Sequence, residues 1–137
     1  MNQNYLFKKF VNQIIRQGKK QSSFIVLKKC FKNLKKVSPC NPTFIFVTAI
    51  NNVTPSLYLQ KVRRGSQLTY LPRVVSYNTR CCMGIRWILS GAFSSAKKGL
   101  PLDVSLASEV LAAFNSKGYA FKKKMDYYSR AESTRLF

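Results

Sequence analysis

Residues 57–87 read LYLQKVRRGSQLTYLPRVVSYNTRCCMGIRW, and two different periodicities meet within them. In the first part, Leu57 and Leu59 on one side and Leu68, Tyr70 and Pro72 on the other bracket Arg63-Arg64-Gly65-Ser66. Glycine permits the positive backbone angle of a tight hairpin turn, so two strands are predicted over about residues 57–75. Pro72 suits this arrangement, because a two-strand arm has no central strand whose ladder it would break. Such a hairpin is marginal alone in water, and its tip is expected to be mobile until bound. The second part opens a helix capped by Ser76 or Asn78. Its apolar side is Met83, Ile85, Trp87, Ile88, Leu89 and Ala92 or Phe93, with Arg80 and Arg86 riding on it. Trp87, the only tryptophan, is assigned to the core, where truncation to alanine would cost roughly 3–5 kcal/mol and unfold the domain. A hairpin with a basic tip, rising from a helical body, is an arm shaped for a nucleic-acid groove.

Toward the N-terminus, Tyr5, Leu6, Phe10, Val11, Ile14 and Ile15 recur at helical spacing, and Gly18 can end that helix in a left-handed cap. A second helix, capped by Ser22 or Ser23, carries Phe24, Val26, Leu27, Phe31 and Leu34. Its lysines have no glutamates four residues away to pair with, so phosphate is the better partner for part of the set. Ser38, Pro39, Asn41 and Pro42 break the chain. Thr43 to Asn52 fits two templates: FIFV has strand propensity, while Phe44, Val47 and Ile50 share a helical face. On its own residues it reads as a strand. Asn51, Asn52, Thr54 and Pro55 form the loop before the hairpin. Beyond Trp87, Gly91, Ser94 and Ser95 weaken the helix end, and Lys97, Lys98 and Gly99 close it. Pro101 in a first helical turn opens another helix, with Asp103 near its positive end. Its buried side is Val104, Leu106, Ala107, Val110, Leu111 and Phe114, and Asn115 and Gly118 end it. The last segment, from Tyr119, carries Lys122, Lys123, Lys124, Arg130 and Arg135, with Tyr127, Tyr128 and Leu136 as apolar or stacking groups.

Composition narrows the function. At 137 residues the chain is most simply one domain, residues 1–137, able to bury a modest core without metal or disulfide. Lysine and arginine total 24 against 4 acids, a formal net charge of +20. The acids are Asp103, Glu109, Asp126 and Glu132, so nothing before Asp103 is negative. Ordinary solvated surfaces mix both signs, and this imbalance calls for a polyanionic partner. Histidine is absent, which removes the commonest general base and metal ligand, and four scattered carboxylates leave little for catalysis. No enzyme activity, catalytic residue or cofactor is expected. Cys30, Cys40, Cys81 and Cys82 contain no C-x-x-C pair, so they read as small buried apolar groups in a reducing compartment, with no metal. No apolar run approaches the about twenty residues that a membrane span needs, and no membrane partner is expected. The first residues are basic and acid-free like a presequence, yet without its Arg and Ser richness, and read as a mature helix. A DNA-binding helical protein also fits the charge, but no helix-turn-helix pattern is present and the hairpin would go unexplained. A membrane-surface role would rest on the first helix alone.

Taken in order, these pieces resemble the universal ribosomal protein uS7 family of the small subunit. FVNQIIRQGKK resembles the family's first helix and its Gly18-Lys19-Lys20 exit. Asn52-Val53-Thr54-Pro55 resembles its Asn-x-x-Pro loop, and Thr54 to Trp87 aligns without a gap, keeping Arg64, Gly65, Pro72, Arg80, Arg86 and Trp87. LASEV and NSKGYAFKKKMDYYSRAESTRLF resemble its C-terminal helix pair. The resemblance implies a mainly α fold, a bundle of about six helices with a protruding β-hairpin arm between the third and fourth, and it turns Thr43 to Asn52 into a helix. It implies a structural protein that binds the 3′ major (head) domain of small-subunit rRNA, nucleates head assembly and touches neighbouring head and platform proteins. The hairpin tip, Arg63, Arg64 and Gly65, would lie near the exit-site tRNA and the mRNA exit.

Departures are expected to matter locally. The basic extension before the first helix in bacterial relatives is nearly absent, and their tail beyond Phe137 is missing, which puts those contacts in doubt. Tyr128 stands where relatives usually have histidine. Lysine outnumbers arginine two to one, and Asn, Phe, Ile and Tyr are plentiful, which suggests an AT-rich organellar gene. A mitochondrial ribosome is the expected location, with a plastid second. The expected rRNA contacts are Lys8, Lys9, Lys19, Lys20, Lys28, Lys32, Lys35, Arg73, Arg80, Arg86, Lys122, Lys123 and Lys124. They would neutralise phosphates, while shape does the selecting, because the A-form major groove is too narrow to read. Tyr70, Tyr77 and Tyr128 are candidates for stacking on unpaired bases.

Overall fold

Wherever apolar residues recur every three or four positions the chain is helical, and where they alternate it is extended. A computed structural model describes residues 3–134; Arg135, Leu136 and Phe137 lie outside them. The elements are α1 (Gln3–Ile14), α2 (Lys20–Val37), α3 (Pro42–Val53), β1 (Leu57–Arg64), β2 (Gln67–Val74), α4 (Tyr77–Ala96), α5 (Leu102–Phe114) and α6 (Gly118–Thr134). This is a mainly α architecture of six helices with a two-strand antiparallel hairpin between α3 and α4. The ambiguous segment is helical. Asn41 caps it, its side-chain oxygen accepting from the Thr43 N–H at 3.0 Å, and Pro42 occupies the first turn, where its missing N–H costs nothing.

Helix α5 packs against α2, α3, α4 and α6, so it is the axis of the bundle. Leu106, Ala107, Val110 and Ala113 face inward from it and meet Ile45, Ala49, Ile85, Ile88 and Ala92 in one core. Phe7, Phe10, Phe31 and Phe46 form an aromatic cluster at one end, Phe7 stacked on Phe46 at 5.1 Å and Phe10 edge-on at 4.9 Å. Rings at such offset or edge geometry gain beyond simple area burial.

Several expectations need correction. Neither Ser22 nor Ser23 caps α2, which begins at Lys20 without a side-chain cap. Ser23 is buried in the first turn and donates weakly to the Lys19 carbonyl at 3.4 Å. Asn78 is no cap either; it accepts from the Tyr5 hydroxyl at 2.7 Å, and Ser76 holds the N-cap position of α4 by backbone conformation alone. Pro101 stands at the N-cap of α5, one residue before its expected place. Val104 is exposed. Cys40 is exposed and Cys82 half-buried, so only Cys30 and Cys81 are the buried small groups expected. Trp87 is not a core residue. It is half-buried at the margin, packed against the core and against the Tyr127 ring at 5.5 Å, because α6 and not the bundle centre covers that flank of α4.

One carboxyl side chain of α5 is buried. Glu109 is only 9% exposed, and its Oε1 accepts the Ala120 N–H at 3.0 Å in the first turn of α6. A carboxylate there satisfies an orphan donor and sits at the positive end of the helix dipole. Room for it comes from Gly91, where a Cβ would lie 2.7 Å from the Glu109 Cδ. Helix α4 runs through Gly91 to Ala96 and closes at Lys97.

Candidate nucleic-acid interface

The hairpin closes through Gly65-Ser66, with Arg64 opposite Gln67 and Gly65 at φ +62°. All four tip residues from Arg63 to Ser66 are exposed. Because ladder bonding alternates along an antiparallel pair, Leu59 opposite Pro72 is a pair without mutual hydrogen bonds. Pro72 therefore loses no ladder bond, and the Leu59 N–H points away from β2. That N–H donates to the Tyr127 hydroxyl of α6. One helical position on, the Tyr128 hydroxyl accepts from the Ser56 N–H at 2.9 Å and lies 3.0 Å from the Ser56 hydroxyl. Two adjacent tyrosines thus fasten the base of the arm to α6.

Burial holds the Tyr127 hydroxyl above its ordinary pKa, against the lowering effect of the Leu59 bond. For Tyr128 burial also pushes upward, but the Ser56 bonds together with Lys124 and Arg80 outweigh it, and the net displacement is downward. Asn52 completes the joint. Its amide donates to the Ala113 and Phe114 carbonyls at 3.3 and 3.0 Å, closing the end of α5, while its own carbonyl accepts from Lys124 Nζ at 2.7 Å. The Asn-x-x-Pro sequence is thereby explained as a joint between α3, α5 and α6.

Basic residues gather around this joint. Arg80 lies beside Tyr128, its guanidinium carbon 6.0 Å from the Tyr77 ring centre, and its Nε is buried without a hydrogen-bond partner. Lys9 stands over the Tyr5 ring at 5.5 Å and next to Cys82, adjoining the start of α4. Lys61 lies 6.0 Å from the Tyr70 ring centre on the arm itself. Lys122 and Lys123 are exposed on α6, Lys123 lying 5.5 Å from the Tyr119 ring centre, and Arg73 is exposed on β2 opposite Tyr58. Tip, joint and the start of α4 therefore present cations alternating with aromatic rings. Exposed Lys8 belongs to α1, and Lys19 and Lys20 are exposed at the start of α2. Exposed Arg86 borders a hollow with Gln13, Leu89, Ser90 and Phe93. Lys28, Lys32 and Lys35 are elsewhere, on the outer side of α2.

Two of the candidate groups serve the fold. Lys124 is bound to the Asn52 carbonyl, and Tyr128 holds Ser56, so its hydroxyl is engaged inside the protein. Sequence reasoning named Tyr127 only as an apolar or stacking group and put Asn51 and Asn52 in the loop before the hairpin. Both asparagines lie in α3, Asn52 ties it to the end of α5, and Tyr127 binds the arm. Arg16, not singled out, has its guanidinium 4.3 Å from the centre of the Phe93 ring. The only sequence signal for the tyrosine pair was its adjacency, on a helix that also carries Tyr119, Phe121 and Met125. Among the described residues no group of three or more metal-binding side chains is present, and no helix is long and apolar enough to cross a membrane.

The family model described as Ribosomal protein S7p/S5e matches residues 1–135. The chain belongs to that family. A Small ribosomal subunit protein uS7 from Pseudothermotoga lettingae is 36% identical over 132 residues, spanning 96% of this chain and 84% of the relative. Proteins of the same name from Thermotoga neapolitana and Syntrophus aciditrophicus are 35% and 32% identical, over 96% and 98% of this chain and 84% and 85% of theirs. Membership makes the chain a structural, non-enzymatic component of the small ribosomal subunit, with small-subunit rRNA and ribosomal proteins as its partners.

Proposed function

We propose that this chain, acting as one domain, binds the 3′ major (head) domain of small-subunit rRNA, nucleates head assembly, and holds its hairpin near the exit-site tRNA and the mRNA exit. The observation that carries this reading is the anchored arm: a two-strand finger with Arg63 and Arg64 at its exposed tip, tied at its base by Tyr127 and Tyr128 to a basic helix. A fixed base presents the tip at a set angle, which suits recognition of RNA by shape. The cations around the joint, Lys9, Arg73, Arg80, Lys122 and Lys123, would grip phosphates, with Lys8, Lys19, Lys20 and Arg86 extending the footprint over α1, the start of α2 and α4. Lysine excess and the Asn, Ile, Phe and Tyr content support a mitochondrial ribosome as the location.

Replacing Arg63 and Arg64 together with alanine tests the arm. Protection of exit-site tRNA and nearby mRNA in small-subunit footprints should fall, while the chain folds and enters particles as before. Collapse of assembly with unchanged tRNA-site footprints would refute the arm's role. Location is checked by asking whether the chain sediments with small ribosomal particles from purified mitochondria after a high-salt wash.

A further inference from the structure

Helix α2 turns Ser23, Leu27, Cys30 and Leu34 inward and its lysines outward, but the surface between those lysines is apolar. Phe24 and Ile25 are 50% and 55% exposed. A groove of about 560 Å³ is floored by Ile25, Phe31 and Pro42 and edged by lysines including Lys28, Lys32 and Lys35. A second hollow, about 280 Å³, shares Lys28 and Phe31 with it and continues past Phe24 to Thr43. Together they form one trough along α2 beside the start of α3.

Nucleic acid accounts for the edge of this trough but not its floor. Base stacking needs a free aromatic face. The Phe31 ring is already packed on Phe7 and Phe46, at 5.3 Å from each, and Ile25 and Pro42 have no such face, which leaves half-exposed Phe24 in the second hollow as the one exposed ring of the trough. Aliphatic surface is stabilised by meeting other apolar surface, and a ribose-phosphate chain offers little. Lys28, Lys32 and Lys35 follow an i, i+4, i+7 stripe about 10 Å long, which carboxylates at the same spacing on a facing helix would match. An apolar floor edged by charges of one sign is the complement of an amphipathic segment whose apolar stripe is flanked by acids. A second copy of this chain does not offer one. Glu109 is buried, Asp103 accepts from Asn33 at 3.3 Å, and Asp126 and Glu132 stand alone among the cations of α6.

We propose that this trough docks an acidic amphipathic segment of a neighbouring small-subunit protein, with Lys28, Lys32 and Lys35 facing its carboxylates and not rRNA phosphates. The apolar floor supplies most of the affinity and the lysines set the register, since exposed ion pairs contribute little each. This docking rests on the small-subunit placement above.

The test places a benzophenone photo-crosslinker at Ile25, and separately at Arg64, in the full chain assembled into small-subunit particles. At Ile25 the joined species is expected to be protein, and sequencing of the captured peptide to show acids flanking an apolar stripe. In a separate variant, Ile25→Asp should lower recovery of that protein with the particle by about tenfold, with thermal melting of the chain unchanged because Ile25 lies outside the core. Capture of rRNA, of a neutral or basic segment, or of nothing at Ile25 overturns the docking, as does undiminished recovery with Ile25→Asp. Nucleic acid captured at Arg64 in the same particles shows that such a failure belongs to the trough alone; failure at both positions sinks the rRNA reading as well.

Discussion

Glu109 shows how one side chain can hold three helices in register. It rises from α5, fills the space left by Gly91 on α4 and accepts the Ala120 N–H at the start of α6. Glu109→Gln keeps an acceptor but loses the charge at the helix terminus, and should cost roughly 1 kcal/mol. Glu109→Ala also strands a buried donor and should cost about 2–3 kcal/mol. Urea titrations of the RNA-free chain would read both, and equal losses would show that the bond is immaterial. The thiols offer a second check at this scale. Burial, and secondarily Asp103, push the Cys30 thiol from 9.0 up to about 12. Its neutral form is thus favoured by folding, a contribution fully present below about pH 9 and lost as pH rises from there toward 12. An alkylating reagent at pH 8 should modify exposed Cys40 within the native chain and reach Cys30 only on unfolding. Composition alone could not sort these cysteines. Burial of a small residue depends on which helix crosses it, and Cys40 falls in a connecting break while Cys30 falls on the inward stripe of α2.

At the scale of elements, the hairpin was legible because turn chemistry is local: Gly65 between two alternating runs permits few other outcomes. Helix α3 read as a strand on its own residues because FIFV has strand propensity. The Asn41 cap and Pro42 are its local helix signals, and packing on α5 buries Ile45, Phe46, Ala49 and Ile50 while Phe44, expected on the helical face, stays exposed. The joint was invisible for a related reason. Tyr127 and Tyr128 act on backbone groups about seventy positions away, and no spacing along the chain reports that. Removing their hydroxyls separates anchoring from ring packing. Tyr127→Phe should leave the Trp87 contact in place but free the Leu59 N–H, raising its hydrogen-exchange rate by about fivefold, an opening of roughly 1 kcal/mol. Tyr128→Phe should do less, because Ser56 is exposed and water can replace the lost partner. Combined, they should loosen the arm with the helical core intact, visible as faster exchange confined to β1 and β2. Faster exchange through α4 and α5 as well would mean that the tyrosines support the bundle and not the arm.

For the whole molecule, 24 cations against 4 acids set how it can be bound. Each phosphate neutralised releases counterions, so the logarithm of the rRNA association constant should fall linearly with that of salt, by about 0.7–0.9 per contact. Two groups of cations, those of the arm with its joint and those on the outer side of α2, should behave differently. Arg80→Ala and Lys123→Ala should each reduce that slope by roughly one contact, because Arg80 stands beside Tyr128 at the arm's anchored base and Lys123 is exposed on α6 one turn before Tyr127. Lys28, Lys32 and Lys35 changed together to glutamine should remove less than one contact, since their groove faces protein. Affinities of purified chain for the isolated head-domain rRNA, measured at about five salt concentrations between roughly 50 and 200 mM, would resolve this. Loss of about three contacts in the α2 variant would return those lysines to the RNA and leave the trough without an occupant. An unchanged slope with Arg80→Ala would show that its guanidinium, half-buried beside Tyr77, supports the joint and touches no phosphate.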